Sequence, residues 1–117
     1  MKIERVVPNL TVTDLPRAVA EHRDALGFDV LMDLGWIVTL GDNRGHQLSL
    51  LTTDASAPVV PAVSVFVDDV GQALKRVREA GLEIVHPLTV EPWGVTRFFY
   101  RDSDGNVINV GTHTLTP

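Results

Sequence analysis

Four histidines, one glutamate, one arginine and two tryptophans stand where their side chains could run chemistry. His86 is the best acid–base candidate of the four imidazoles, because it sits before Pro87 at the end of an extended run and an imidazole titrates near neutral pH. No carboxylate is placed beside it by sequence spacing. His22 lies one helical turn before Leu26 and reads as a packed or half-exposed helix residue. His46 lies in a turn, one residue out of phase with Ser49, and His113 is close to the C-terminus. No H-x-H or H-E-x-x-H spacing occurs, so a compact zinc motif is excluded. Glu91 precedes Pro92-Trp-Gly and is either an acid at a site mouth or a solvated loop carboxylate. Ser49 and Ser64 lack the G-x-S-x-G setting of an activated nucleophile. No glycine-rich phosphate loop is present. Trp36 and Trp93 offer large flat surfaces and an N–H each. Arg97, four residues after Trp93, could stack on it, meet an anionic ligand, or form a surface salt bridge.

The elements that must position these residues follow from periodicity. Ile3 to Thr13 reads as a strand. Asp14 is a helix N-cap with Pro16 in the first turn. Leu15, Ala18, Val19, His22 and Leu26 recur at helical spacing, and Gly27 ends the helix in a left-handed cap. Strands are expected at Asp29–Asp33, Trp36–Leu40 and Gln47–Thr52. After a linker at 54–60, Val63, Val65 and Val67 open a second series. Asp68 or Asp69 caps a helix with Val70, Ala73, Leu74, Val77 and Ala80 on one face, and Gly81 closes it. Strands near Glu83–Val85, Val95–Arg101 and Asn106–Thr112 complete it.

The order β-α-β-β-β therefore occurs twice. A shift of 55 carries Asp14 onto Asp69, and a shift of 60 carries Ser49 onto Asn109. Each amphipathic helix must bury its stripe on the sheet of its own module. Alternation assigns Leu10, Val12, Leu48, Leu50, Val63, Val65, Val67, Ile108 and Val110 to the helix side. The opposite face carries Val7, Asn9, Thr11, Gln47, Ser49, Leu51, Ala62, Ser64, Phe66, Val107, Asn109 and Gly111. That set is small, mixed and free of ionisable groups, which suits a ligand cleft; a partner subunit or the protein's own side chains would be the other fillings. Parity does not assign Phe98, Phe99 and Tyr100, because the preceding loop is irregular.

Composition narrows the classes. At 117 residues, 44% hydrophobic and 21% charged, the chain is expected to be one globular domain. It has no cysteine, so disulfides and thiolate-bound zinc are excluded. The start lacks a signal-like apolar segment and no run is long enough to span a bilayer, so a cytoplasmic protein without membrane contact is expected. A net charge of −5 argues against nucleic acid and mildly favours cationic small ligands.

Val12-Thr-Asp-Leu-Pro-Arg-Ala, Arg23-Asp-Ala-Leu-Gly-Phe28, Pro92-Trp-Gly and Arg101-Asp-Ser-Asp-Gly-Asn-Val-Ile-Asn109 together resemble the vicinal oxygen chelate superfamily, most closely its glyoxalase/bleomycin-resistance branch. The resemblance spans the chain and implies an α+β fold. Two βαβββ modules (1–53 and 61–117) would form a U-shaped mixed sheet around a cleft, commonly in a homodimer. It places cavity-lining aromatic residues at Trp36 and Trp93. Metal-binding members would hold a divalent ion at the positions of Val7, Ser49, Ala62 and Asn109. Valine and alanine cannot ligate, and serine and asparagine are weak donors for zinc, nickel or iron. The expected activity is thus metal-free, cofactor-free binding of a small aromatic or amphipathic molecule, with antibiotic sequestration as one form. The expected lining is Val7, Asn9, Trp36, Gln47, Ser49, Ala62, Phe66, Trp93, Arg97 and Asn109. The alternatives are a glyoxalase-like lyase or isomerase, or a dioxygenase-like enzyme, using an unconventional metal set or acid–base work by His86 or Glu91. A domain serving only as a dimeric protein partner is the third reading.

Overall fold

The computed structural model describes residues 1–113; the last positions assigned to the second module, 114–117, lie outside them. The elements are β1 (Ile3–Thr11), α1 (Leu15–Leu26), β2 (Asp29–Asp33), β3 (Ile37–Gly41) and β4 (Gln47–Leu51), followed by β5 (Val63–Val67), α2 (Val70–Glu79), β6 (Glu83–Glu91), β7 (Val95–Arg101) and β8 (Val107–His113). This is an α+β chain with the repeated βαβββ order. The residues group into two compact units, Val7–Val60 and Met1–Val6 together with the chain from Pro61 onward.

In the first unit the strand order is β2-β3-β4-β1. Parallel pairing sets Asn9 beside Ser49, and antiparallel pairing sets Thr39 beside Ser49. Asp14 accepts from the Arg17 N–H, and Gly27, at φ 74°, donates to the Arg23 carbonyl. Leu15 and Ala18 of α1 pack with Val38, Leu40 and Leu50, and Val12, Val19, Phe28 and Leu48 flank them. Two residues expected on the helix side depart from it. Leu10 is exposed, and so is Leu26, at 77%. Leu26 falls in the last turn of α1, and Phe28 just beyond the helix joins the cluster instead.

In the second unit the order is β5-β8-β7-β6. Asp69 is the cap of α2, accepting from the Gln72 N–H, whereas Asp68 accepts from the Lys2 N–H and donates its own N–H to the Lys2 carbonyl. Val70, Ala73 and Leu74 pack on Val67, Phe98 and Val110, with Val65, Tyr100 and Ile108 beside them. Phe98 and Tyr100 thus face α2, and alternation sends Phe99 to the other side.

The repeat holds at atomic detail. Asp42 Oδ1 accepts from the N–H groups of Arg44 and His46, and Asp102 Oδ1 from those of Asp104 and Asn106. The second carboxylate oxygen accepts from His46 Nδ1 in one turn and Asn106 Nδ2 in the other. Gly45 and Gly105 both sit at φ 87°, a left-handed conformation that glycine adopts without a Cβ penalty.

One hairpin breaks the symmetry. β6 was expected to stop at Val85 and instead runs to Glu91. Pro87 is tolerated because β6 is an edge strand, where a missing N–H breaks no ladder bond. Both β2 and β6 have a register shift at the same place, between Val30 and Met32 and between Ile84 and His86. Met32 pairs with Thr39 as His86 pairs with Phe99. The first residues of these pairs differ by 54 and the second by 60, so the β6–β7 hairpin is six residues longer than its counterpart.

The turn chemistry is measurable. The His46 side chain, then the Arg44 N–H, holds the Asp42 carboxyl at about 2, below its ordinary 3.8. A carboxyl depressed on folding contributes stability above its unfolded value and loses it as pH falls through its folded value. Carboxyl carbon NMR shifts are therefore expected to give Asp42 a midpoint near 2, and His46→Ala should move it upward. An unmoved midpoint would assign the shift to the backbone donors alone.

Candidate functional site

The face of the second sheet opposite α2 gathers ionisable and aromatic side chains. Across the register, His86 lies opposite Phe99, Thr89 opposite Arg97 and Glu91 opposite Val95. Arg97 and Phe99 in turn lie opposite Gly111 and Asn109 of β8, and Asn109 and Gly111 lie opposite Ser64 and Phe66 of β5. Directly opposed residues share a face, so all of these point the same way.

Three ionisable groups meet here in the interior. Arg97 Nε donates to Glu91 Oε1 at 3.1 Å, and His86 Nε2 stands 3.6 Å from the same oxygen. Side-chain exposure is only 4–6% for the three. His86 Nδ1 donates to the Pro87 carbonyl at 2.7 Å, which fixes the ring and turns Nε2 toward Glu91. The Arg97 guanidinium lies 4.9 Å from the ring centres of both Trp93 and Phe99. His86 packs against Phe99 at 4.8 Å.

A second group occupies the β5–β8 end of the face. The Arg5 guanidinium lies 4.0 Å over the Phe66 ring, and His113 stacks on that ring at 4.9 Å. Arg5 Nη2 donates to His113 Nε2. An arginine cannot accept, so His113 is the neutral acceptor. Burial and then the Arg5 charge push its imidazole below the ordinary value. Asn109 Nδ2 donates to Ser64 Oγ at 2.9 Å, while its Oδ1 is buried and has no hydrogen-bond partner among the described residues.

These contacts correct several expectations. The face is not free of ionisable groups: Arg5, His86, Glu91, Arg97 and His113 all point to it. His86 does have a carboxylate beside it, and Glu91 is a buried strand residue rather than a solvated loop acid. The expectation of a cationic ligand, drawn from overall charge, does not match a face with two guanidinium groups and one carboxylate. The signal that was available is the change of repeat offset from 55 to 60. It marks the longer hairpin that brings Glu91 and Trp93 to Arg97.

Of the expected lining residues, Phe66, Trp93, Arg97 and Asn109 share this face. Ala62 is exposed and donates its N–H to the Val107 carbonyl. Val7, Asn9, Trp36, Gln47 and Ser49 belong to the first unit. There Val7 is buried, Asn9, Trp36 and Gln47 are half-buried, and Ser49 shares a 2.8 Å bond with Thr39 Oγ1. The second unit also has an apolar groove of about 490 Å³ beside α2, lined by Ile3, Val67, Ala73, Val77, Leu82 and Tyr100 among others. It contains none of the expected residues, and Arg76 is its one charged group. It lacks the several convergent polar groups that orient a ligand.

Paired βαβββ units, each with a helix packed on one face of its sheet, define a class of small α+β proteins. The family model of the Glyoxalase/Bleomycin resistance protein/Dioxygenase superfamily matches residues 2–110, and the chain belongs to that superfamily. Among solved structures it is similar to a superfamily member from Vibrio splendidus 12B01. Identity is 23% and the TM-score 0.70, over 96% of this chain and 99% of that one. It is also similar to methylmalonyl-CoA epimerase from Mycobacterium tuberculosis, at 16% identity and TM-score 0.70, over 97% and 88%. A protein described as NAD-dependent benzaldehyde dehydrogenase from Legionella pneumophila aligns at 13% identity and TM-score 0.77, over 93% and 99%. At these identities the likeness is one of fold. A search of the curated proteins finds no match.

The metal that some members hold does not fit the residues here. Val7 and Ala62 have no donor atom, and Ser49 Oγ is engaged with Thr39. Asn109 is left with one amide oxygen. Among the described residues no three His, Cys, Asp or Glu side chains gather as a metal site.

Removing Glu91 strands the Arg97 charge in the interior, which costs about 3–5 kcal/mol. Glu91→Ala is expected to lose that much in urea unfolding. Glu91→Leu with Arg97→Met should recover most of it, because no buried charge is then left unpaired. A single variant within about 1 kcal/mol of wild type, on the scale of an exposed pair, would show that the pair is solvated.

Proposed function

We propose that this protein binds a small aromatic or amphipathic molecule without a metal, using the second-unit face opposite α2. The observation that carries the reading is the Asn109 Oδ1 acceptor, buried and unmet among the described residues, on a face it shares with Trp93, Phe99 and Phe66. An orphan acceptor costs about 1–3 kcal/mol, and a ligand N–H or O–H would offset that. The half-buried Trp93, held over Arg97, supplies a flat surface for the ligand. Sequestration of an antibiotic is one form of this activity, because it needs affinity and no turnover. A cytoplasmic homodimer completes the reading: β2 is an edge strand exposed along its length, with Val30, Leu31 and Met32 open to a second copy.

The alternative is a lyase or isomerase. Its specific support is the His86–Glu91 approach of 3.6 Å, in which a fixed imidazole and a carboxylate form an acid–base couple. The couple is enclosed and Glu91 is already engaged by Arg97, which favours a supporting role.

Titration with candidate aromatic drugs is expected to change tryptophan emission, and Trp93→Ala should weaken binding about tenfold, the equivalent of about 1.4 kcal/mol. Unchanged affinity in that variant contradicts the assignment. Elemental analysis of the same preparation is expected to find no stoichiometric zinc, nickel, manganese or iron. Light scattering on it should give twice the 12.8 kDa chain mass.

A further inference from the structure

The arginines of this chain are not alike in their partners. Arg97 is paired with Glu91, Arg101 with Glu83 and Arg17 with Glu21, while Arg23, Arg44, Arg76 and Arg78 are exposed to water. Arg5 has no carboxylate within ion-pair distance among the described residues. Its contacts there are the Phe66 ring and a neutral imidazole acceptor. Its Nε is buried and has no hydrogen-bond partner among the described residues. The adjacent acid, Glu4, alternates to the other side of the strand, and its charge acts on Arg5 and His113 from there, opposing in each the larger effect of burial.

Arg5 is half-buried, and neither a ring face nor a neutral imidazole supplies the counter-charge of a carboxylate. Burial pulls the guanidinium below its ordinary value, although an arginine stays charged. The ring contributes about 0.5–2 kcal/mol, less than an enclosed anion with charge-assisted bonds would give. Across β8 from Phe66, Gly111 places no side chain between Phe66 and Arg97. The strands of these two residues are two sheet spacings apart, about 10 Å.

We propose that Arg5 and His113, seated on Phe66, form an anion subsite, and that the ligand of this face is a planar aromatic anion such as a carboxylate or sulfonate. The proposal rests on the reading of this face as the ligand site. It adds the charge of the ligand and the group that recognises it. Arg5 supplies the charge and the fork of N–H donors. His113, released from accepting the Arg5 bond, turns donor to the anion when it takes up a proton.

The test compares anilinonaphthalene sulfonate, which is anionic, with neutral N-phenylnaphthylamine, each followed by fluorescence. The sulfonate is expected to bind at least tenfold more tightly. Arg5→Gln should abolish that margin while leaving the neutral probe unchanged, and Arg5→Lys should retain part of it. His113→Gln, a milder change, should reduce the margin several-fold and serves if Arg5→Gln does not fold. Rising salt should weaken only the sulfonate. Equal binding of the two probes, or a margin that survives both variants, overturns the anion subsite and leaves the binding face standing. Failure of both probes to bind overturns the binding face as well.

Discussion

The buried pair of Glu91 and Arg97 sets the terms for the rest of the second unit. Two charges at 4–5% exposure are costly to desolvate, and the cost is met only when geometry and neighbouring contacts are good. Everything around the pair serves that requirement. The lengthened β6–β7 hairpin carries Glu91 far enough to reach Arg97 across the turn. Trp93 and Phe99 cover the guanidinium, and His86, anchored to the Pro87 carbonyl, occupies the remaining side of the carboxylate. A surface hairpin would tolerate register slippage. This one cannot slip by a residue without sending Arg97 to the α2 side among Phe98 and Val110.

The duplication shows what was added. His86 stands where the first unit has Met32, Arg97 where it has Ile37, and Phe99 where it has Thr39. The caps at Asp14 and Asp69 and the turns at Asp42 and Asp102 are shared, because both units need the same chain reversals. The charged and aromatic residues are not shared. The positions at which the family resemblance would place a metal carry valine, serine, alanine and asparagine.

Much of this was legible in the residues. Capping aspartates, the left-handed Gly27 and the alternation that buries Leu50, Val67 and Val110 follow from local rules and hold in the fold. The offsets of 55 and 60 read from the sequence carry the pair Asn9–Ser49 onto Ser64–Asn109 in the fold. What was not legible depends on partners distant in sequence. Pro87 reads as a strand end, and only its edge position makes it compatible with a longer β6. Glu91 reads as solvated until the hairpin register places it beside Arg97. Arg5 lies in the first strand, and nothing local says that its ring partner is Phe66. Leu10 and Leu26 satisfy the apolar pattern and yet lie outside the packed area, because periodicity cannot say where a sheet ends.

The account turns on which face of the second sheet receives the ligand, and backbone amide shift mapping with a bound aromatic anion decides it. The expected result is perturbation concentrated at Ser64, Phe66, Arg97, Phe99, Asn109 and His113, with Trp93 in the connecting turn. Perturbation concentrated instead at Ala73, Val77 and Leu82, along the apolar groove beside α2, would contradict it.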